Sequence, residues 1–88
     1  MPVSAWAMRV RVCLFAWLRE AVGRPELEIE ISDRATPEDV WRRLASDYPA
    51  LAERRRSLAA AVNRSYAAFD TPLAAGDEVA FIPPVSGG

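Results

Sequence analysis

The chain contains no histidine and no lysine; its eleven basic residues are all arginines, and Cys13 is its one cysteine. Without histidine it lacks the commonest general base, the commonest metal ligand, and every Ser-His or Cys-His pair of nucleophilic catalysis. A single cysteine makes no intrachain disulfide and no zinc-spaced cluster, so no metal site is expected and a reducing cytoplasm is the expected compartment. No apolar run approaches the roughly 20 residues of a membrane span. The opening Met1 to Ala7 has neither the basic start nor the long apolar stretch of a secretory signal, so no membrane association is expected. A formal net charge of −1 exerts no strong pull on phosphate backbones, and nucleic acid is not an expected partner. The basic cluster Arg54-Arg55-Arg56 reads as a solvated helix end and receives no functional role.

What is present suffices for one small core. The 88 residues, 51% of them hydrophobic and 26% charged, have the composition of a single globular domain, in which roughly 60% of the unfolded chain's surface is buried. Residues 1–7 are expected to be a mobile extension, 8–84 the folded domain, and 85–88 a flexible tail. From Arg9 to Ala16, Val10, Val12, Leu14 and Ala16 alternate with Arg9, Arg11, Cys13 and Phe15, the pattern of a half-buried strand. Trp17 to Val22 has room for one or two helical turns, stopped by Gly23 and Pro25. Leu27, Ile29 and Ile31 alternate with Glu28 and Glu30 in a second strand, which is expected to pair antiparallel with the first.

Thr36 as N-cap, Pro37 at the first helical position, and Glu38 and Asp39 at the positive end of the dipole predict the start of the main helix. Val40, Trp41, Leu44, Ala45 and Tyr48 then form one apolar stripe, and Pro49 ends it. Ala50 to Ser57 reads as a short helical or irregular connection. Ala59 to Val62 and Tyr66 to Phe69 flank Asn63-Arg64-Ser65 as strand, turn and short strand. Glu78 to Ile82 is the last strand, closed by Pro83-Pro84, which cannot donate ladder hydrogen bonds. The order predicts an α+β domain: a small mixed sheet with one helix packed on a face.

The chemistry concentrates at the end. Gly87-Gly88 has no side chains, so it passes through a cleft too narrow for any Cβ and presents a free carboxylate. Val85 to Gly88, extended at roughly 3.3 to 3.6 Å per residue, reaches about 13 to 14 Å beyond the prolines. Taken alone, a diglycine ending carries little weight. Here it completes a longer string: Ala61-Val62-Asn63, Phe69-Asp70, Pro72-Leu73, Gly76-Asp77-Glu78-Val79-Ala80-Phe81, Pro83-Pro84-Val85 and Gly87-Gly88, with Phe15-Ala16, Arg19-Glu20 and Gly23 upstream. From Met8 to Gly88 the chain resembles the small subunit of molybdopterin synthase, the MoaD family.

That resemblance implies a ubiquitin-like β-grasp fold with about five strands. It also implies a sulfur carrier, not an enzyme by itself, whose C-terminal Gly88 is adenylated with ATP by a ubiquitin-activating-type enzyme. A sulfurtransferase then supplies the sulfur that makes it a thiocarboxylate. Gly87 gives the slender approach into the large synthase subunit, where the sulfur passes to cyclic pyranopterin monophosphate. No cofactor is bound, and the implied assembly is a heterotetramer with two large subunits.

Phe15 and Ile82 lie on the strand parity opposite the core series, and Tyr66 joins them if the turn after Val62 is tight. The resemblance makes this the partner-facing patch, continued by Pro83, Pro84 and Val85, with Arg19 a candidate for contacts near the tail. Cys13 shares the parity of Phe15, but nothing near it in sequence lowers its pKa, so it reads as a passive small residue. Two other readings stay open: a carrier serving thiamine or another pathway, and a ubiquitin-like modifier joined to lysines of other proteins.

Overall fold

The computed structural model describes residues 7–83; the expected extension and tail otherwise fall outside these residues. Five strands form one sheet in the order β2-β1-β5-β3-β4. They are β1 (Ala7–Leu14), β2 (Glu26–Ser32), β3 (Ala59–Val62), β4 (Ser65–Ala67) and β5 (Glu78–Ile82), with helices α1 (Trp17–Val22) and α2 (Pro37–Asp47) and a 3-10 segment, Pro49–Ser57, between them. β1 and β5 are parallel at the centre, and the pairs β1–β2, β3–β5 and β3–β4 are antiparallel. This is the mixed five-stranded sheet with one main helix expected for a β-grasp.

Period-2 alternation decides which face each strand buries. Val10, Val12 and Leu14 of β1, Ile29 and Ile31 of β2, and Val79 and Phe81 of β5 join Val40, Trp41 and Leu44 of α2 in one apolar cluster. Phe81 is fully buried; its ring meets Trp41 edge-on at 5.2 Å between centroids and stacks on Phe69 at 6.1 Å. Both geometries suit the aromatic quadrupole. α2 begins with a reciprocal capping box: the Asp39 N–H donates to Thr36 Oγ1 (3.3 Å) and the Thr36 N–H to Asp39 Oδ2 (2.9 Å). Two orphan donors are thereby satisfied.

Three expectations need correction. β1 starts at Ala7 and stops at Leu14, and Ala16 is not part of the packed series. It is exposed and takes a left-handed φ of 53° as the N-cap of α1, because the chain must turn sharply to send Leu18 and Val22 into the core. The fourth strand is shorter than Tyr66 to Phe69, ending at Ala67, where the chain leaves the sheet to place Phe69 on Phe81. The arginine cluster is exposed at Arg54 and Arg56, as expected of a solvated helix end, but Arg55 is half-buried and departs from that expectation. Arg55 lies 3.4 Å over the Phe69 ring and donates through Nε (2.7 Å) to Glu38 Oε1, which its Nη2 also approaches at 2.6 Å as an ion pair, while Arg54 lies 4.9 Å over Trp17. Arg55 thus ties the 3-10 segment to α2 and the loop after β4, and Arg54 reaches α1.

Candidate functional site

The outer face of the sheet divides into two regions. On β1 and β2, Arg9 approaches Glu28 and Glu30 (3.9 and 3.7 Å) and Arg11 approaches Glu26 (3.5 Å) across the strands. Such exposed pairs contribute little stability each, but they make this region wet and self-paired. On β3, β4 and β5 the outward residues Ala61, Tyr66, Ala80 and Ile82 make an apolar surface, with Glu78 at its edge. The β3–β4 connection is a two-residue turn, Asn63-Arg64, with φ values of 51° and 72°, the hairpin geometry that matches strand twist. It sets Tyr66 opposite Ala61.

Among the described residues Tyr66 and Phe15 are the large hydrophobic residues left exposed, at 78% and 50%, and Ile82 is half-buried beside them. Phe15, Tyr66 and Ile82 line a common depression of about 450 Å3 floored by Ala61 and Ala80. A second, of about 290 Å3, continues past Tyr66 and Ile82 to Pro83. The three side chains singled out in the sequence are therefore brought together, with Pro83 at the margin. Arg19 is exposed on α1 and lines neither depression; its carbonyl accepts the N–H of Gly23 (2.8 Å), the left-handed cap of that helix. Pro84, Val85, Gly87 and Gly88 lie outside the described residues.

Sequence reasoning missed the polar rim. Glu78 accepts hydrogen bonds from Arg11 Nη2 (3.0 Å) and Cys13 Sγ (3.5 Å), and Arg64 Nε stands 4.0 Å away. The Arg11 hydrogen bond, then that of Cys13, hold the Glu78 carboxyl below its usual range. Burial first, and then the Glu78 charge, push the Cys13 thiol up, so it stays protonated and unreactive, as its sequence context indicated. Asn63 ties the hairpin to β5: its Nδ2 donates to Asp77 Oδ1 and its Oδ1 accepts the Glu78 N–H, both at 3.0 Å. These partners lie 14 to 67 residues apart, and no local pattern announces them.

Among the described residues no group of histidine, cysteine or carboxylate side chains could hold a metal ion, and no helix is long and apolar enough to cross a membrane. The arrangement offers an apolar surface with the end of β5 at its margin.

Residues 12–88 match the ThiS family. The chain is 46% identical to the molybdopterin synthase sulfur carrier subunit of Escherichia coli (strain K12), over 90% of this chain and 99% of that one. Its fold is similar to the crystal structure of SAMP1 from Haloferax volcanii, with a TM-score of 0.78, 32% identity and coverage of 91% and 99% of the two chains. It is also similar to a chain in the complex of subunits 1 and 2 of the molybdopterin-converting factor from Helicobacter pylori 26695, with a TM-score of 0.61, 27% identity and coverage of 92% and 100%.

Proposed function

The chain belongs to the ThiS family, and from that premise we propose that it is the sulfur carrier subunit of a molybdopterin synthase, acting through the carboxylate of Gly88. The observation that carries this reading is where β5 ends. Ile82 and Pro83 border the exposed apolar face, so a partner docked there lies against the end of β5. The family match runs through Gly88 itself.

In this reading the carboxylate oxygen of Gly88 attacks the α-phosphorus of ATP in an activating partner, and pyrophosphate leaves. Persulfide sulfur from a sulfurtransferase then displaces AMP to give an acyl disulfide, whose S–S bond a dithiol reductant cleaves, becoming a disulfide itself and leaving the thiocarboxylate on Gly88 and a thiol on the donor. In the large synthase subunit that sulfur passes to cyclic pyranopterin monophosphate, and water restores the Gly88 carboxylate. The chain supplies no acid, base or metal to these steps; its parts are a docking face and a tail without side chains at its tip. Phe15, Tyr66 and Ile82 form the face for the large subunit, and assembly is as a heterotetramer.

The test is intact mass after incubation with the activating partner, ATP and a sulfur donor, followed by addition of the large subunit and cyclic pyranopterin monophosphate. One oxygen-for-sulfur exchange at Gly88 and formation of molybdopterin are expected; deletion of Gly88 leaves a folded chain that does neither. Product formed by the deleted chain would overturn the reading. A second reading, attachment to lysines of other proteins, draws on the likeness to small archaeal modifier protein 1, and isopeptide-linked conjugates in the same reaction would identify it.

A further inference from the structure

Alanine occupies the outer face where β3 and β5 run side by side. Ala61 stands opposite Ala80 on one side and Tyr66 on the other. These two alanines are only 6% and 8% exposed, yet they are the buried hydrophobic residues that fall outside the main apolar cluster. What shields them is the wall of Phe15, Tyr66 and Ile82 around the 450 Å3 depression. Larger residues at either alanine would fill it and flatten the face.

The rim carries a cation whose one ion pair among the described residues is long. Glu78, the carboxylate nearest Arg64, already accepts from Arg11 at 3.0 Å and from Cys13 at 3.5 Å. Arg64 touches it only at 4.0 Å, with a side chain 85% exposed. A guanidinium has five donors in a planar fork and favours carboxylates that approach it in plane. The left-handed turn fixes the backbone from which Arg64 projects.

We infer that the alanine-floored depression is a socket for one bulky apolar side chain of the large synthase subunit, and that a carboxylate beside that side chain pairs with Arg64. The inference rests on the functional reading above and gives its interface a chemistry. An apolar knob fits because the floor and walls are methyl, methylene and ring carbons, which gain by losing water together. A protein surface fits better than a small ligand because the depression continues past Tyr66 and Ile82 to Pro83, whereas small-molecule sites enclose most of their ligand. The rim charge serves orientation and association rate more than affinity.

The experiment measures binding of the full-length chain to the purified large subunit at several salt concentrations, comparing wild type with Ala80→Leu, Ala61→Leu and Arg64→Gln. Circular dichroism and thermal melts establish that each variant is folded. Filling the socket is expected to weaken binding about tenfold or more. Arg64→Gln is expected to slow association roughly three- to tenfold and to flatten its salt dependence. Wild-type binding with both alanine variants unaffected, or with unchanged salt dependence in Arg64→Gln, would overturn the socket while leaving the carrier reading intact. A wild-type chain that does not bind the large subunit would overturn both. Self-association lost on Ala80→Leu, or nuclear Overhauser contacts from the Ala61 and Ala80 methyls to Val85 in the free chain, would give the socket a different occupant and sink the inference.

Discussion

The two faces of β5 teach different lessons about the same five residues. Val79 and Phe81 point inward and have no exposed surface, whereas Glu78, Ala80 and Ile82 point outward into a rim, a floor and a wall. The inner residues are interchangeable in kind with the core of any small domain, and their contribution is burial. The outer residues do little for the core and make most sense as a surface shaped for a partner. Alternation lets one strand serve both ends at once, because successive side chains point to opposite faces.

That contrast breaks most visibly at Phe81. Phe81→Ala removes the ring that Trp41 and Phe69 pack against and should destabilise the fold by about 3 to 5 kcal/mol, measured by urea denaturation. In a domain of this size such a loss approaches the whole of its stability. On the outer face, Phe15→Asp or Ile82→Asp should cost about 2 kcal/mol or more in large-subunit binding, read by calorimetry, with thermal stability nearly unchanged. Retained binding in both variants would remove the distinction between the faces.

Arg55 sharpens the comparison from the edge of the core. Its guanidinium stacks on Phe69 and donates through Nε to Glu38; a lysine keeps the charge but loses both the plane and that Nε donor. Arg55→Lys should lower stability by about 1 kcal/mol in thermal denaturation without changing partner binding.

The smallest effect is acid dependence on the rim. Hydrogen bonds from Arg11 and then Cys13 lower the folded-state pKa of Glu78. Its contribution is therefore fully present above the unfolded carboxylate value and is lost as pH falls through the lower folded value. Glu78→Gln should lower stability slightly at neutral pH, where the contribution is full, and flatten the stability curve in that acid window. An unchanged acid limb would show that these hydrogen bonds do not favour the ionised form.

Much of the fold was legible in the chain because its signals are local. β5 ends where Pro83 forbids further pairing, α2 starts at the Thr36-Pro37 cap, and Gly23 stops α1 with the positive φ that glycine tolerates. Parity alone put Phe15 and Ile82 on the face away from the core. Ala16 was misassigned because a small apolar residue fits an alternating strand and a tight turn equally well. Arg55 was misread because three consecutive arginines look solvated until an aromatic ring 14 positions on is folded beneath one of them.

By itself the sequence determined the strand and helix periods, the caps and breaks, the two-faced character of each strand, and an end in two glycines. Only the tertiary structure decided that Ala61 lies against Ala80, that Tyr66 and Ile82 wall the same depression as Phe15, and that Arg11 meets Glu78 at 3.0 Å while Arg64 stands 4.0 Å from it. The physical reason is range. Period and capping act between residues a few positions apart, whereas a socket depends on the register of strands brought together from opposite ends of the chain, and register is set by the collective burial of one face.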